Sequence, residues 1–273
     1  MRNIRLVLEY DGTAYHGFQA QDNTAFPTIQ GELEAAIEAV CRERLRIIGA
    51  GRTDAGVHAL GQVANFHTRS TVPTDRFPAA LNSVLPGDIR VKAADEVPLD
   101  FHARFDAAAK TYIYLVDNRP RPSVFLRNYA CHVSQPLNVV EMRRAAELLI
   151  GTQDYASFRT SGSSAKTTVR TVYQFEIAES KICPGMVKFK ARADGFLYNM
   201  MRNMVGTLLE VGLGKLSAED VKDILAARDR RRAGPTAPPH GLYLAGVEYP
   251  QSKQSTSPGE TVSSEVVFDI PWV

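Results

Sequence analysis

The sequence predicts an α+β fold made of two similar halves, and three observations carry that reading. The first hundred residues run strand, helix, strand, strand, helix, strand, which is a split βαβ arrangement. The second half repeats the theme of strands and amphipathic helices less regularly. The 273 residues suffice for one large domain or two ordinary ones, at about 150 residues each, so the chain can bury a core without a disulfide or a metal.

Residues 4–10 (IRLVLEY) alternate apolar and polar positions and stop at Asp11-Gly12, a strand ending in a turn. Thr28 caps a helix predicted over 28–45, with Ile29, Leu33, Ala36, Ile37 and Val40 on one face and Glu32 in its first turn. Residues 46–51 read as a strand entering a loop, and 61–67 as a strand with Val63 and Phe66 apolar. A helix over 77–85 stops at Pro86-Gly87, and residues 89–97 form the next strand. In the second half, 110–116 (KTYIYLV) is a strand and 139–151 an amphipathic helix. Two strictly alternating runs, VYQFEIAE and MVKFKARA, are joined by 181–185 as a hairpin. Residues 197–214 form a nearly continuous apolar helix, which calls for burial between other elements. Ser217 caps a further helix, and 242–249 close as a strand. The boundaries expected are 1–104 for the first half, 105–250 for the second, and a Ser/Thr-rich polar tail over 251–273.

Thirty-two bases against thirty acids leave a formal charge of +2. That excludes a histone-like polycation and leaves room for a local basic groove. Cys41, Cys131 and Cys183 lie far apart with no CxxC spacing, which argues against a disulfide scaffold and a structural zinc site and suits a reducing cytoplasm. No signal peptide is expected from the first residues, and no apolar run reaches the length of a membrane helix.

The densest chemical cluster is GAGRTDAGVHALGQV, residues 49–63. It mimics a dinucleotide fingerprint, but Asp54 stands where the third glycine belongs and would repel a pyrophosphate, and a strand follows instead of a helix. Asp54 reads either as an Asx-turn or as a nucleophilic or general-base carboxylate with Arg52 nearby. In residues 101–116, His102, Arg104 and Lys110 supply charge, while Tyr112 and Tyr114 share a face of their strand. Such interleaving suits a surface that stacks bases and holds phosphates, or an ordinary half-buried strand. Arg202 lies among Met200, Met201, Met204 and Val205, so it either snorkels or has a partner, for which Asp54 is a suitable acid. The basic run 228–232 reads as a solvated helix end or a phosphate grip. The histidines show no ligand spacing, so no metal is expected.

These segments together resemble the tRNA pseudouridine synthase A family. The resemblance is carried by YDGTAYHGFQAQ, TIQGELEAAI, GAGRTDAGVHALGQVANF, LNSVLPGDI, DFHARFDAAAKTYIY, DYASFR with KTTVRTV, FLYNMMRNMVG and APPHGLYLAGVEYP, in order over residues 4–250. Phe18 stands where the family usually has Trp, and Met201 where it usually has Val. The resemblance implies two ferredoxin-like halves whose sheets merge into one mixed, mainly antiparallel sheet, the pseudouridine synthase fold. It implies conversion of uridines 38, 39 and 40 in the tRNA anticodon stem-loop to pseudouridine by a homodimer, with no cofactor and no metal, in keeping with the cytoplasm and the lack of a membrane helix expected above. It carries the catalytic aspartate onto Asp54, the active-site tyrosine onto Tyr112 and the arginine partner onto Arg202. Arg52, two residues before the aspartate, is expected from its charge and place to contact substrate phosphates. Two rivals are weaker. A non-catalytic RNA-binding protein leaves the Asp54 loop unexplained, and an aspartyl-phosphate transferase would want more acids near Asp54 for Mg²⁺.

Overall fold

The computed structural model describes residues 1–20, 26–162 and 165–253. Contacts divide them into two compact units. The first is Met1–Ala109 with the described residues from Tyr243 on, and the second is Lys110–Leu242.

In the first unit β1 (Arg2–Tyr10), α1 (Ile29–Cys41), β2 (Ile48–Gly49), β3 (His58–Thr68), α2 (Phe77–Asn82) and β4 (Ile89–Val97) follow one another. β1 lies between β3 and β4 and is antiparallel to both. Its alternation predicts one wet face, yet both faces are buried. Asn3 and Arg5 are covered because Arg5 forms a two-point ion pair with Asp95, Nε to Oδ1 at 2.8 Å, under the rings of Phe101 and Tyr249. A buried charge is tolerated only with such a partner. α1 begins where Thr28 Oγ1 accepts the Gly31 N–H at 3.2 Å. It ends at Cys41 instead of residue 45, because Arg42 turns left-handed at φ 58°. Glu43 is thereby released to accept hydrogen bonds from Thr68 Oγ1 and the Arg69 N–H, tying the helix exit to the end of β3. Of the strand expected over 46–51, only β2 pairs, through Ile48 and Gly49 opposite Asn65 and Ala64.

The second unit contains β5 (Ala109–Asp117), β6 (Cys131–His132), α3 (Val139–Glu147), β7 (Gly151–Asp154), β8 (Val169–Glu179), β9 (Met186–Ala193), α4 (Met200–Gly212) and α5 (Ala218–Ala227). Its sheet runs β6-β5-β9-β8-β7, antiparallel except for the parallel β5–β6 pair. α4 is buried nearly all round, as its apolar sequence requires, but it starts at Met200 because Asn199 takes φ 59°. α5 carries a capping box between Ser217 and Asp220.

The last strand, β10 (Leu242–Glu248), rejoins the first unit, parallel to β3 with Tyr243 opposite His58 and Leu244 opposite Ala59. Each unit is therefore α+β around a mixed, mainly antiparallel sheet. Of the expected tail, Gln251–Lys253 form a short 3₁₀ turn in which Lys253 Nζ donates to Asp100 Oδ2 at 2.6 Å. The rest of the tail lies outside the described residues. No described helix is long and apolar enough to cross a membrane.

Candidate active site

The loop after β1 and the loop before β3 run side by side, and the first holds the second in place. The Phe18 N–H donates to the Thr53 carbonyl at 3.0 Å. The hydroxyls of Tyr10 and Thr53 share a buried hydrogen bond of 2.7 Å. Gln62, fully buried in β3, donates its amide to the Gly51 carbonyl at 2.9 Å. The Ala50 N–H donates to the Val63 carbonyl at 2.7 Å. Two glycines allow the approach. A Cβ on Gly12 would lie 2.0 Å from the Val57 carbonyl oxygen, and Gly17, at φ +85°, would place one 2.7 Å from the Thr53 carbonyl oxygen. Burial pushes the Tyr10 hydroxyl up to about 12, against the hydrogen bonds from Thr53 and Gln62.

Asp54 sits on this fixed frame, half-buried, between buried Thr53 and exposed Ala55. The turn it opens is closed by its carbonyl, which accepts the Val57 N–H at 3.1 Å. The turn thus has a backbone clasp of its own, independent of the carboxylate. Arg52 is exposed. The Gly12 N–H donates to His58 Nδ1 at 3.1 Å, and the His58 ring stacks on Tyr243 with centroids 4.8 Å apart, which anchors the far end of the loop.

In the second unit, Tyr112 is buried in β5 opposite Ala191, its ring edge-on to Phe196 at 4.9 Å. Tyr114, two residues on, is a core residue whose hydroxyl donates to the Pro238 carbonyl at 2.8 Å. Arg202 stands in the first turn of α4 and does not snorkel: Nε donates to the Ala237 carbonyl at 2.7 Å and Nη1 to Asn199 Oδ1 at 2.8 Å. The basic run divides by role. Arg230 turns inward, donating to Asn203 Oδ1 and Thr236 Oγ1 at 3.0 Å each, and its burial lowers its pKa. Arg228 pairs with Asp154 at 3.1 Å, and Arg231 chelates Asp229. A uniform phosphate grip over 228–232 is therefore not what this segment offers. Among the described residues no group of three or more His, Cys, Asp or Glu could hold a metal ion.

The sequence model described as tRNA pseudouridine synthase matches residues 6–106 and 145–250. The chain belongs to the tRNA pseudouridine synthase family. It is by that membership an isomerase. It is 52% identical over 250 residues to the tRNA pseudouridine synthase A of Acetivibrio thermocellus, covering 91% of this chain and 100% of that one. The proteins of the same name from Thermoanaerobacter sp. strain X514 and Caldicellulosiruptor bescii are 50% and 51% identical over 249 residues, with the same shares covered. Within the family's matched segments, sequence reasoning singled out Asp54 and passed over Tyr10, Thr53 and Gln62, which fix the loop that carries it. A signal for one was present: Gln62, like Asn65, is a side-chain amide set beside the apolar Val63, Ala64 and Phe66.

Proposed function

We propose that this protein isomerises uridine to pseudouridine at positions 38, 39 and 40 of the tRNA anticodon stem-loop, with Asp54 as the nucleophile. The observation that supports this best is a half-buried carboxylate on a loop pinned from three directions, inside the GRTDAGVHA segment of a tRNA pseudouridine synthase relative. Positioning of that kind favours attack at one fixed point on a substrate.

The reaction breaks the N1–C1′ bond, turns the uracil and joins C5 to C1′. The C5 proton leaves to solvent and N1 gains one. Substrate and product have the same composition, so the chemistry needs neither a redox partner nor a group donor. Attack at ring C6 and attack at sugar C1′ both use the same carboxylate. Because pairing and stacking hide both atoms, the nucleotide is flipped out first, at a cost of a few kcal/mol or so. In this reading Tyr112 stacks on the uracil and its hydroxyl assists loss of the C5 proton. Arg202 supplies the positive charge that keeps a carboxylate ionised away from water, and exposed Arg52 meets the RNA. The protein works in the cytoplasm as a homodimer, since a tRNA exceeds the face of one protomer and a two-fold pair doubles the surface available.

The test is release of tritium from tRNA labelled at uridine C5, with protein alone. The wild type releases label from positions 38–40, and Asp54→Asn releases none while binding tRNA with unchanged affinity. Substantial release by Asp54→Asn overturns the assignment. A monomer by sedimentation at micromolar concentration that is active on intact tRNA overturns the dimer.

A further inference from the structure

Phe105 is 75% exposed, yet the backbone that presents it is held like core. Asn3 Nδ2 donates to the Phe101 carbonyl at 3.0 Å, and the Ala103 N–H donates to Asn65 Oδ1 at 2.9 Å. The buried Tyr249 hydroxyl donates to the Ala103 carbonyl at 2.7 Å. The segment closes on itself as the His102 N–H donates to Asp106 Oδ2 at 2.8 Å and the Asp106 N–H to the His102 carbonyl at 3.0 Å. A lone exposed Phe needs no explanation. A ring projected from a loop anchored at its start, middle and end has lost its conformational entropy before any ligand arrives, which is what a binding element gains from preorganisation.

The chemistry around the ring selects the ligand. The His102 ring lies against Phe105 with centroids 4.2 Å apart and planes at 32°. His102 Nδ1 accepts the N–H groups of Arg104 and Phe105 at 3.2 and 3.3 Å, so the neutral ring keeps its proton on Nε2. Arg104 is exposed, with its guanidinium carbon 5.7 Å from the Phe105 centroid. A mostly exposed ring backed by an imidazole, with an exposed guanidinium over it, fits a flat heterocycle joined to a phosphate. The cation favours an RNA over an apolar protein surface.

We propose that residues 102–105 form a platform on which an unpaired nucleobase of the RNA substrate stacks against Phe105, with the adjoining phosphate on Arg104. The proposal rests on the tRNA reading given above and adds a second, non-catalytic contact to it. It is tested with the full chain by measuring affinity for an unmodified tRNA transcript, with uridine conversion followed in the same samples. Phe105→Ala weakens binding about 5- to 150-fold, the range of one base stacked on one aromatic ring. Phe105→Tyr and Phe105→Trp restore it, and Phe105→Leu does not. Arg104→Gln lowers the slope of log K against log salt by about one. The thermal midpoint of each variant stays at the wild-type value. Wild-type affinity in Phe105→Ala or Phe105→Leu overturns the platform whether or not the protein isomerises uridine. A change in sedimentation of Phe105→Ala at unchanged RNA affinity assigns the ring to a protein contact and also overturns it. Absence of conversion by the wild type overturns the assigned reaction, while the Phe105 comparison still decides the platform.

Discussion

The bond between the Tyr10 and Thr53 hydroxyls joins the end of β1 to the residue before Asp54, and a double-mutant cycle isolates it. Thr53→Val keeps the side-chain shape and removes one partner. The Tyr10 hydroxyl then retains only the Gln62 amide, 3.5 Å away at the limit of hydrogen bonding. Leaving a buried hydroxyl in that state costs about 1–3 kcal/mol, and Tyr10→Phe leaves Thr53 Oγ1 in the same position. With both hydroxyls gone neither group is stranded, so the double variant costs less than the sum of the singles by about 1–2 kcal/mol. Urea unfolding at neutral pH measures all three. Each single variant also lowers turnover, because the Asp54 backbone loses a tether one residue away. The pH dependence gives an independent reading. The folded-state value of Tyr10 lies above its unfolded value of 10, at about 12. Its contribution is fully present below pH 10 and is lost as pH rises to about 12, an amount of about 3 kcal/mol. The stability difference between wild type and Tyr10→Phe therefore narrows across that window. Strictly additive costs, or a difference that stays constant from pH 9 to pH 12, show that the two hydroxyls are not coupled.

Other expectations rest on features equally specific. Gly12→Ala drives a methyl group into the Val57 carbonyl and lowers stability by about 1–3 kcal/mol, with a matching fall in turnover, read by urea midpoint and tritium release. Arg230→Ala releases Asn203 and Thr236 from their shared donor and lowers the unfolding free energy in urea by about 1–3 kcal/mol, while the salt slope of tRNA binding stays at the wild-type value. Arg52→Ala does the opposite, lowering that slope by about one at unchanged stability, since Arg52 is exposed. Arg202→Leu removes the donors to the Ala237 carbonyl and Asn199, so it unfolds at lower urea and loses turnover; full activity across neutral pH shows that Arg202 has no part in the chemistry.

Local chemistry made much of the fold legible. Thr28, Ser217 and the alternation on either side of 181–185 locate the starts of α1 and α5 and the turn between β8 and β9 within a residue or two, because caps and pleats are decided by neighbours in sequence. Strands β6 and β7 were not legible. Each is too short to show a period, and CH and GTQD pair only because longer strands offer an edge. The left-handed residues Arg42 and Asn199, which trim α1 and α4, carry side chains that give no warning of it. Asp54 stood out as the acid in a glycine-rich loop, whereas the frame behind it joins residues some forty positions apart, a distance no periodicity reports. The inward turn of Arg230 was hidden for a related reason: its acceptors, Asn203 and Thr236, are 27 and 6 residues away on other elements.

The return of β10 to the first unit bears on how the protein is made. The edge of β3 that faces away from β1 takes β2 at Asn65 and Ala64, and its start, at His58 and Ala59, takes β10. A chain emerging from the ribosome therefore exposes the Asp54 loop more than 180 residues before Tyr243 arrives to stack on His58. Nascent chains stopped anywhere before that strand carry Asp54 on a loop missing its last clamp. Completion of the loop's far anchor thus waits for the last strand, and truncated translation products lack the Tyr243 stack on His58.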